Sequence, residues 1–155
     1  MSRTGADNIG RLLLQAFRAF DATLNARLRA RGYPDVRLVH SALFAHIDPE
    51  GTRPIDLARR AAMTKQSMAE VIADLETKGY VERLPDPQST RGRLVRLTDR
   101  GWRHVRDAAA VIAEIEADYR QLLGGDRLRT LREDLGRMAS APPTTPSQDD
   151  PSARP

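Results

Sequence analysis

The stretch MTKQSMAEVIADLETKGYVERLPDP, residues 63–87, decides the fold of this chain. Thr64 is a residue type favoured at helix N-caps. The apolar residues after it recur at helical spacing and predict one buried stripe, formed by Met68, Val71, Ile72 and Leu75. Gly79 is typical of a helix end, and Lys78 stands near the negative end of the helix dipole. The stretch therefore predicts a helix over residues 64–78 that gives way to a strand.

The segments that flank the turn-rich sequence PDPQSTRG predict a β-hairpin over residues 80–98. YVERL precedes this turn and RLVRLT follows it, and both carry apolar side chains at strand spacing: Val81, Leu84, Leu94, Val95 and Leu97. Arg91 lies within the turn, and Arg93 and Arg96 follow it. We therefore expect a wing with a long basic tip.

Upstream of residue 63 the apolar spacing predicts three helices. The first is long, covers residues 9–28 and stops near Gly32-Tyr33-Pro34. The second carries residues 36–47 with Asp35 as its predicted cap, and the third is a short helix opened by Thr52 and Pro54. The third helix ends close to Thr64, so residues 52–78 predict two helices joined by a tight turn.

Downstream of the hairpin, Thr98 is the predicted cap of a long fifth helix that runs to Leu122. Gly124-Gly125-Asp126 breaks it, and a sixth helix carries Leu128 to Met138. The last segment, SAPPTTPSQDDPSARP, residues 140–155, is rich in proline and almost free of apolar residues. That composition predicts a disordered tail.

Composition excludes several classes of protein. The 155 residues contain no cysteine, so disulfides, thiolate metal sites and thiol redox switches are excluded. No apolar run is long enough to span a membrane and the N-terminus lacks a signal-peptide core, so we expect a cytoplasmic protein. The net charge is +4, and all the cations except Lys65 and Lys78 are arginines, which suit phosphates and guanine edges. A high-GC genome would enrich arginine equally well.

The order of two short helices, a tight turn and a hairpin is that of a winged helix-turn-helix. In this motif the second helix lies in the major groove with its N-terminal residues toward the base edges. The predicted stripe leaves five residues of that helix off the core: Lys65, Gln66, Ala69, Glu70 and Ala73. The predicted fold class is therefore mainly α (α+β), with long N- and C-terminal helices flanking a winged helix-turn-helix DNA-binding lobe.

Residues 52–101, TRPIDLARRAAMTKQSMAEVIADLETKGYVERLPDPQSTRGRLVRLTDRG, resemble the DNA-binding core of the MarR family of bacterial transcriptional regulators. The most specific part is YVERLPDP followed by RLVRLTDRG. The resemblance implies a domain over residues 1–139, with a lobe at about 35–100 and dimerisation helices at about 8–32 and 98–139. It implies a homodimeric repressor that binds a pseudo-palindrome in double-stranded DNA and, in many members, is released by a small aromatic or phenolic ligand.

Seven residues are predicted to contact DNA: Thr64, Lys65, Gln66, Ser67, Glu70, Arg91 and Arg93. Lysine suits guanine and glutamine suits adenine at the N-terminal end of a recognition helix. By the resemblance, Thr64 and Ser67 match hydroxyl positions that bond phosphates, and Arg91 matches the wing-tip arginine directed at the minor groove. Arg93 is a predicted phosphate contact. A simple cap at Thr64, a solvated helix face at Lys65 and Gln66, and an exposed hairpin charge at Arg91 and Arg93 stay open.

Two positions depart from the family pattern. Members commonly carry an acidic residue two positions before the wing arginine, which holds it in place, whereas this chain has Ser89. A looser wing tip is therefore expected. Many members carry an arginine where this chain has Glu70. The Glu70 carboxylate could accept a hydrogen bond from cytosine N4, or it could brace Lys65 or Arg93.

The resemblance also implies a ligand pocket, for which the predicted residues are Phe17, Phe20, His40, Phe44 and Trp102. Core packing or a dimer interface explains the same aromatic residues equally, and His40 could be a hydrogen-bonded core histidine.

Metal binding and catalysis are not expected. His40 and His46 are six residues apart and lie on different helix faces, so no metal site or cofactor is predicted. Phosphate-binding glycine loops, nucleophile elbows and HExxH are absent from the sequence, so we do not expect an enzyme. The alternative is a helical dimeric protein-interaction adaptor without DNA binding, which would need no basic wing.

Overall fold

A computed structural model of the chain describes residues 8–89 and 91–141, and they form six helices and one two-stranded sheet. The elements in chain order are α1 (Ile9–Ala30), α2 (Leu38–Phe44), α3 (Pro54–Arg60), α4 (Lys65–Thr77), β1 (Val81–Pro85), β2 (Arg93–Leu97), α5 (Asp99–Leu123) and α6 (Gly125–Ser140). The chain divides into two compact units between Ile115 and Glu116, within α5. The mainly helical class with a small antiparallel sheet is confirmed.

The predicted central helix is α4, and its caps lie where the sequence places them. The side chain of Thr64 accepts from the Ser67 N–H at 3.1 Å, which satisfies one of the free donors of the first turn. The predicted apolar stripe is buried. Gly79 follows the C-cap residue Lys78 with a φ of +74°, a conformation that favours glycine.

The predicted hairpin is the sheet β1–β2, which pairs Val81 with Leu97 and Pro85 with Arg93. Thr52 adds one further pairing, because its N–H donates to the Val95 carbonyl at 2.8 Å and its carbonyl accepts from the Val95 N–H at 2.9 Å. Thr52 therefore belongs to the sheet edge. The prediction that it opens α3 is wrong, since Arg53 is the N-cap residue and Pro54 the first helical residue.

The second helix is shorter than predicted. It begins at Leu38 with Arg37 as its N-cap, and the backbone N–H of Arg37 donates to the His40 ring at Nδ1 (3.0 Å). The predicted cap, Asp35, instead accepts from the Tyr80 hydroxyl at 2.7 Å. The Asp35 carboxylate is therefore used in a tertiary contact and not at the helix end that the local sequence predicts.

The junction between the hairpin and α5 is tightly packed. The Thr98 hydroxyl donates to the Gly79 carbonyl at 2.6 Å and accepts from the Gly101 N–H at 3.2 Å, as the predicted cap of α5 should. A Cβ at Gly101 would lie 2.2 Å from the Tyr80 carbonyl oxygen, so only glycine fits there. The first turn of α5 is thus fixed against the end of α4.

Further along, α5 ends at Leu123 and the break is Gly124 alone, since Gly125 already begins α6. The helix α6 includes Ser140, the first residue of the predicted tail. The rest of that prediction, from residue 142 on, lies outside the described residues. None of the helices in the ranges 8–89 and 91–141 combines the length and apolar character that a membrane span needs.

Candidate nucleic-acid interface

The N-terminal end of α4 presents five of the seven predicted DNA contacts. Thr64, Lys65, Gln66, Ser67 and Glu70 are all exposed on the side of the helix opposite its buried stripe. The Thr64 hydroxyl donates to the Ser67 hydroxyl at 2.9 Å, so these two side chains order each other. This end of the helix therefore carries a continuous polar face.

Glu70 contacts Gln66 within that face. The Gln66 amide nitrogen lies 3.4 Å from a Glu70 carboxylate oxygen, one helical turn away. Within the described residues Glu70 forms no ion pair with Lys65 or Arg93, the two partners that the sequence suggested. The acid that departs from the family pattern is thus a neighbour of a predicted base-reading residue.

The wing contributes Arg91 and Arg93, whose side chains are exposed. Arg96, on the same strand as Arg93, donates to the Glu82 carboxylate at 2.7 Å and is neutralised by it. Arg91 and Arg93 form no such pair within the described part of the chain. The three wing arginines therefore differ in how available they are to a polyanion.

The base of the wing tip contains an ion pair that sequence reasoning missed. The Asp86 carboxylate is buried and accepts from the Arg53 Nε at 2.6 Å and from the Gln88 N–H at 2.9 Å. The Arg53 guanidinium, helped by the Gln88 N–H, holds the pKa of Asp86 below its usual range. The two residues are 33 positions apart, and no periodic pattern connects them.

A second, partly exposed ion-pair cluster anchors α4 to α2. One oxygen of Asp74 lies 2.8 Å from the His40 Nε2, 2.6 Å from the Lys78 Nζ and 3.2 Å from the Arg37 guanidinium. The hydrogen bond from Lys78 lowers the pKa of Asp74 to about 2, whereas burial lowers the pKa of His40. His40 is therefore a hydrogen-bonded core histidine, and Lys78 has an ion-pair partner in addition to its place near the helix dipole.

The predicted pocket residues do not form one contact group. Phe44 packs against the rings of Tyr80 and His104, with centroid distances of 6.1 and 4.7 Å. Phe17 is exposed and Phe20 half-buried on α1. Trp102 lines a separate recess near the base of the wing, together with Pro49, Glu82, Arg96, Leu97, Thr98 and Asp99.

The aromatic cluster around Phe44 contains residues that sequence reasoning did not select: Tyr33, Tyr80 and His104. The Arg100 guanidinium lies 4.5 Å from the Tyr80 ring centroid, and burial raises the pKa of Tyr80 to about 12. The His104 Nδ1 is buried and has no hydrogen-bond partner in the described ranges. These residues are far apart in sequence, and only the aromatic composition hints at the cluster.

A metal site finds no support in the same ranges. Residues 8–89 and 91–141 contain no group of three His, Asp or Glu side chains that could hold a metal ion.

Comparison with known proteins gives matches in sequence and in structure. Residues 35–92 match the MarR family model. The transcriptional regulator HosA of Escherichia coli is 26% identical over 102 residues, which are 66% of this chain and 76% of HosA. The crystal structure of the reduced form of MarR from E. coli has a TM-score of 0.71 at 24% identity and covers 86% of this chain and 97% of that one. The family-model match covers α2, both helices of the helix-turn-helix and the first strand of the wing.

A second solved structure is CouR from Rhodococcus jostii RHA1 bound to p-coumaroyl-CoA, with a TM-score of 0.67 at 22% identity. It covers 93% of this chain and 100% of that one. At these identities the two solved structures show the fold, and the likeness includes the flanking helices.

Proposed function

We propose that this chain, whose residues 35–92 match the MarR family model, is a sequence-specific repressor that binds double-stranded DNA as a homodimer. The observation that carries this proposal is the distribution of ion pairs in the lobe. Residues 35–100 hold eleven basic side chains, eight of which pair with a carboxylate within the described residues: Arg37, Arg53, Arg59, Arg60, Lys78, Arg83, Arg96 and Arg100. The three that do not are Lys65, Arg91 and Arg93. They are the three cations that sequence reasoning assigned to DNA.

We propose that the polar face of α4 enters the major groove. Lys65 suits guanine O6 and N7, and Gln66 suits adenine. Glu70 accepts one amide hydrogen of Gln66, so the second hydrogen and the carbonyl oxygen are left for a base edge. We propose that Thr64 and Ser67 at the start of the helix bond a phosphate. We propose Arg91 for the minor groove and Arg93 for the backbone.

The homodimer is supported by exposed apolar side chains on the flanking helices. Twelve large apolar side chains are exposed in the described residues, and nine of them lie on α1, at the end of α5 or on α6: Ile9, Leu12, Leu14, Phe17, Leu122, Leu123, Leu131, Leu135 and Met138. Burial against a second copy would remove them from water. A two-fold dimer would present two α4 helices to a pseudo-palindrome in cytoplasmic DNA, about 34 Å apart.

Release by a small aromatic ligand is the remaining part of the proposal. CouR, which shares the fold, binds p-coumaroyl-CoA. The predicted pocket of Phe17, Phe20, His40, Phe44 and Trp102 stays a proposal, and the unpartnered His104 Nδ1 beside Phe44 adds a polar group to it. A thermal-shift screen of phenolic and aromatic acids tests it. A true inducer must raise the melting temperature and weaken DNA binding, since the coupling between two ligands is reciprocal.

DNA binding is tested by selecting bound sequences from a random duplex pool and titrating the best one against salt. We expect a steep loss of affinity with salt because neutralised phosphates release counterions. Arg93→Ala should weaken all sequences and lower the salt slope by about 1, whereas Gln66→Ala should relax preference at one position per half-site. The matched control is Arg96→Ala on the same strand, which should change little because Glu82 already neutralises it.

A flat salt dependence, or equal losses for Arg93→Ala and Arg96→Ala, would contradict the proposal. An adaptor protein would keep its partner after the double charge reversal Arg91→Glu and Arg93→Glu, whereas a repressor would lose its operator.

A further inference from the structure

The tip of the wing is organised around one buried carboxylate. Asp86 follows β1 directly, and its side chain is only 2% exposed. Besides its bonds to Arg53 and Gln88, its backbone N–H donates to the Gly92 carbonyl at 3.1 Å and its own carbonyl accepts from the Ser89 N–H at 3.1 Å. A buried charge is tolerated only when it is paired and hydrogen-bonded, and Asp86 meets both conditions.

Arg53, the partner of Asp86, belongs to the helix-turn-helix. It is the N-cap residue of α3 and follows Thr52, which pairs with Val95 in the sheet. Two consecutive residues therefore hold the hairpin against the helices: Thr52 through the backbone at β2, and Arg53 through its side chain at the tip. The second attachment is the one close to the exposed arginines.

Gly92 links the carboxylate to those arginines. It lies between Arg91 and Arg93, and a Cβ there would come within 2.9 Å of the Asp86 Cβ and 2.8 Å of the Ser89 Cβ. The backbone that carries both arginines is thus packed directly on Asp86. Because Asp86 also bonds the Gly92 carbonyl, a displacement of Asp86 relative to Arg53 is expected to be passed to this backbone.

We infer that Arg53 and Asp86 form a positioning pair that sets where Arg91 and Arg93 stand relative to α4, and so raises DNA affinity without touching DNA. The inference rests on the proposed function and deepens it. Family members commonly carry the acid that holds the wing arginine at the position of Ser89. In this chain the carboxylate of Asp86 would restrain the wing instead.

The test compares Asp86→Asn, which keeps the shape and an acceptor for Gln88 but removes the charge, with wild type on the selected operator. We expect about a tenfold loss of affinity, the size of one charge-assisted contact. In the double variant Arg91→Ala and Arg93→Ala, Asp86→Asn should cause no further loss of DNA affinity. The effects of substitutions at residues that act as a unit do not add. Arg53→Lys should retain most of the affinity that Arg53→Gln loses.

A second measurement needs no DNA. Because the chain has no cysteine, spin labels can be attached to the pair Ala73→Cys on α4 and Arg91→Cys on the wing, with unlabelled protein in excess. We expect Asp86→Asn to broaden or shift the distance distribution. An unchanged distribution, or an equal affinity loss in the background without wing arginines, would overturn the inference. Absence of DNA binding by wild type would overturn the proposed function alone, since the distance measurement still decides the positioning role.

Discussion

The lobe and the terminal helices bury their apolar side chains in different ways. In the lobe, Leu43, Leu57, Met68, Ile72 and Leu75 are fully buried within one chain. On α1 and α6 the apolar stripe is equally regular, but Leu12, Leu131 and Met138 are close to half exposed. The same periodic signal thus leads to a closed core in one region and to an open face in the other.

This difference shows what each region needs in order to be stable. The lobe has its hydrophobic contacts already, so it should fold on the strength of its own chain. The terminal helices leave apolar surface in water, which monomeric proteins rarely tolerate over large areas. Substitutions of the same kind in the two regions should therefore have different consequences.

The largest effect is expected in the lobe core. Leu75→Ala on α4 should lower the free energy of unfolding by about 3 kcal/mol, because it removes transfer free energy and leaves a cavity. Leu122→Ala, at a side chain that is 76% exposed, is the matched control. In urea titrations at low protein concentration we expect the control to stay near wild type. Equal losses at both positions would mean that the regions are not different.

The next effect concerns association. Leu131→Glu on α6 should disrupt the homodimer and weaken operator binding by about 100-fold through the loss of bivalency. Val39→Glu on α2 introduces the same charge at a side chain of similar exposure, and the molar mass of that variant should not change. Light scattering measures both. A wild-type protein that is a 17 kDa monomer under these conditions would refute the prediction.

The smallest expected effect is a loss of folding stability at acidic pH. It should distinguish the regions because α1 and α6 contain no histidine. Burial lowers the pKa of His40, in the lobe, and of His104, on α5, so both rings stay neutral in the folded protein to a lower pH than in the unfolded chain. Below about pH 6.5 the unfolded chain binds protons first, and stability falls by up to about 1.4 kcal/mol per pH unit for each histidine. His40 faces Asp74, Lys78 and Arg37, whereas His104 faces Asp107, Asp35 and Arg100.

The pH dependence is checked by urea titrations between pH 5 and 7.5. His40→Gln should flatten the slope in part, and His104→Gln should flatten the remainder. Because α1 and α6 contain no histidine, association should hold over the same range. A wild-type stability that is constant over this window would contradict the assignment. The paired carboxylates act only at lower pH, because the pKa of Asp74 is about 2.

The part of the molecule that sequence predicts well is the part fixed by local signals. The helix α4, its cap at Thr64 and its stop at Gly79 are all specified within a few residues, and the hairpin has strong apolar spacing. The failures fall on Asp35 and Thr52. Both are residue types that cap helices, but the Asp35 carboxylate accepts from Tyr80, 45 residues away, and the Thr52 backbone pairs with Val95, 43 residues away. The Thr52 hydroxyl bonds Asp48 and not the first turn of α3. Local pattern cannot rank these alternative partners of one residue.

The same limit explains which functional residues sequence reasoning missed. Arg53 and Asp86 meet only in the folded lobe, and the aromatic cluster joins four separate segments. Lys65, Gln66, Arg91 and Arg93 were selected because a helix end and a wing tip are recognisable without tertiary contacts. The proposed DNA contacts are thus recognisable from local sequence, whereas the residues proposed to hold them in place are not.

The ion pairs of the lobe also affect how the protein would search for its site. Residues 35–100 carry eleven basic and ten acidic side chains, so the lobe is almost neutral despite its exposed cations. Non-specific affinity for duplex DNA grows with the number of phosphates neutralised, and few side chains here are free to do so. A repressor of this kind would dissociate quickly from random sequence and reach its operator mainly through solution, with short residence everywhere else.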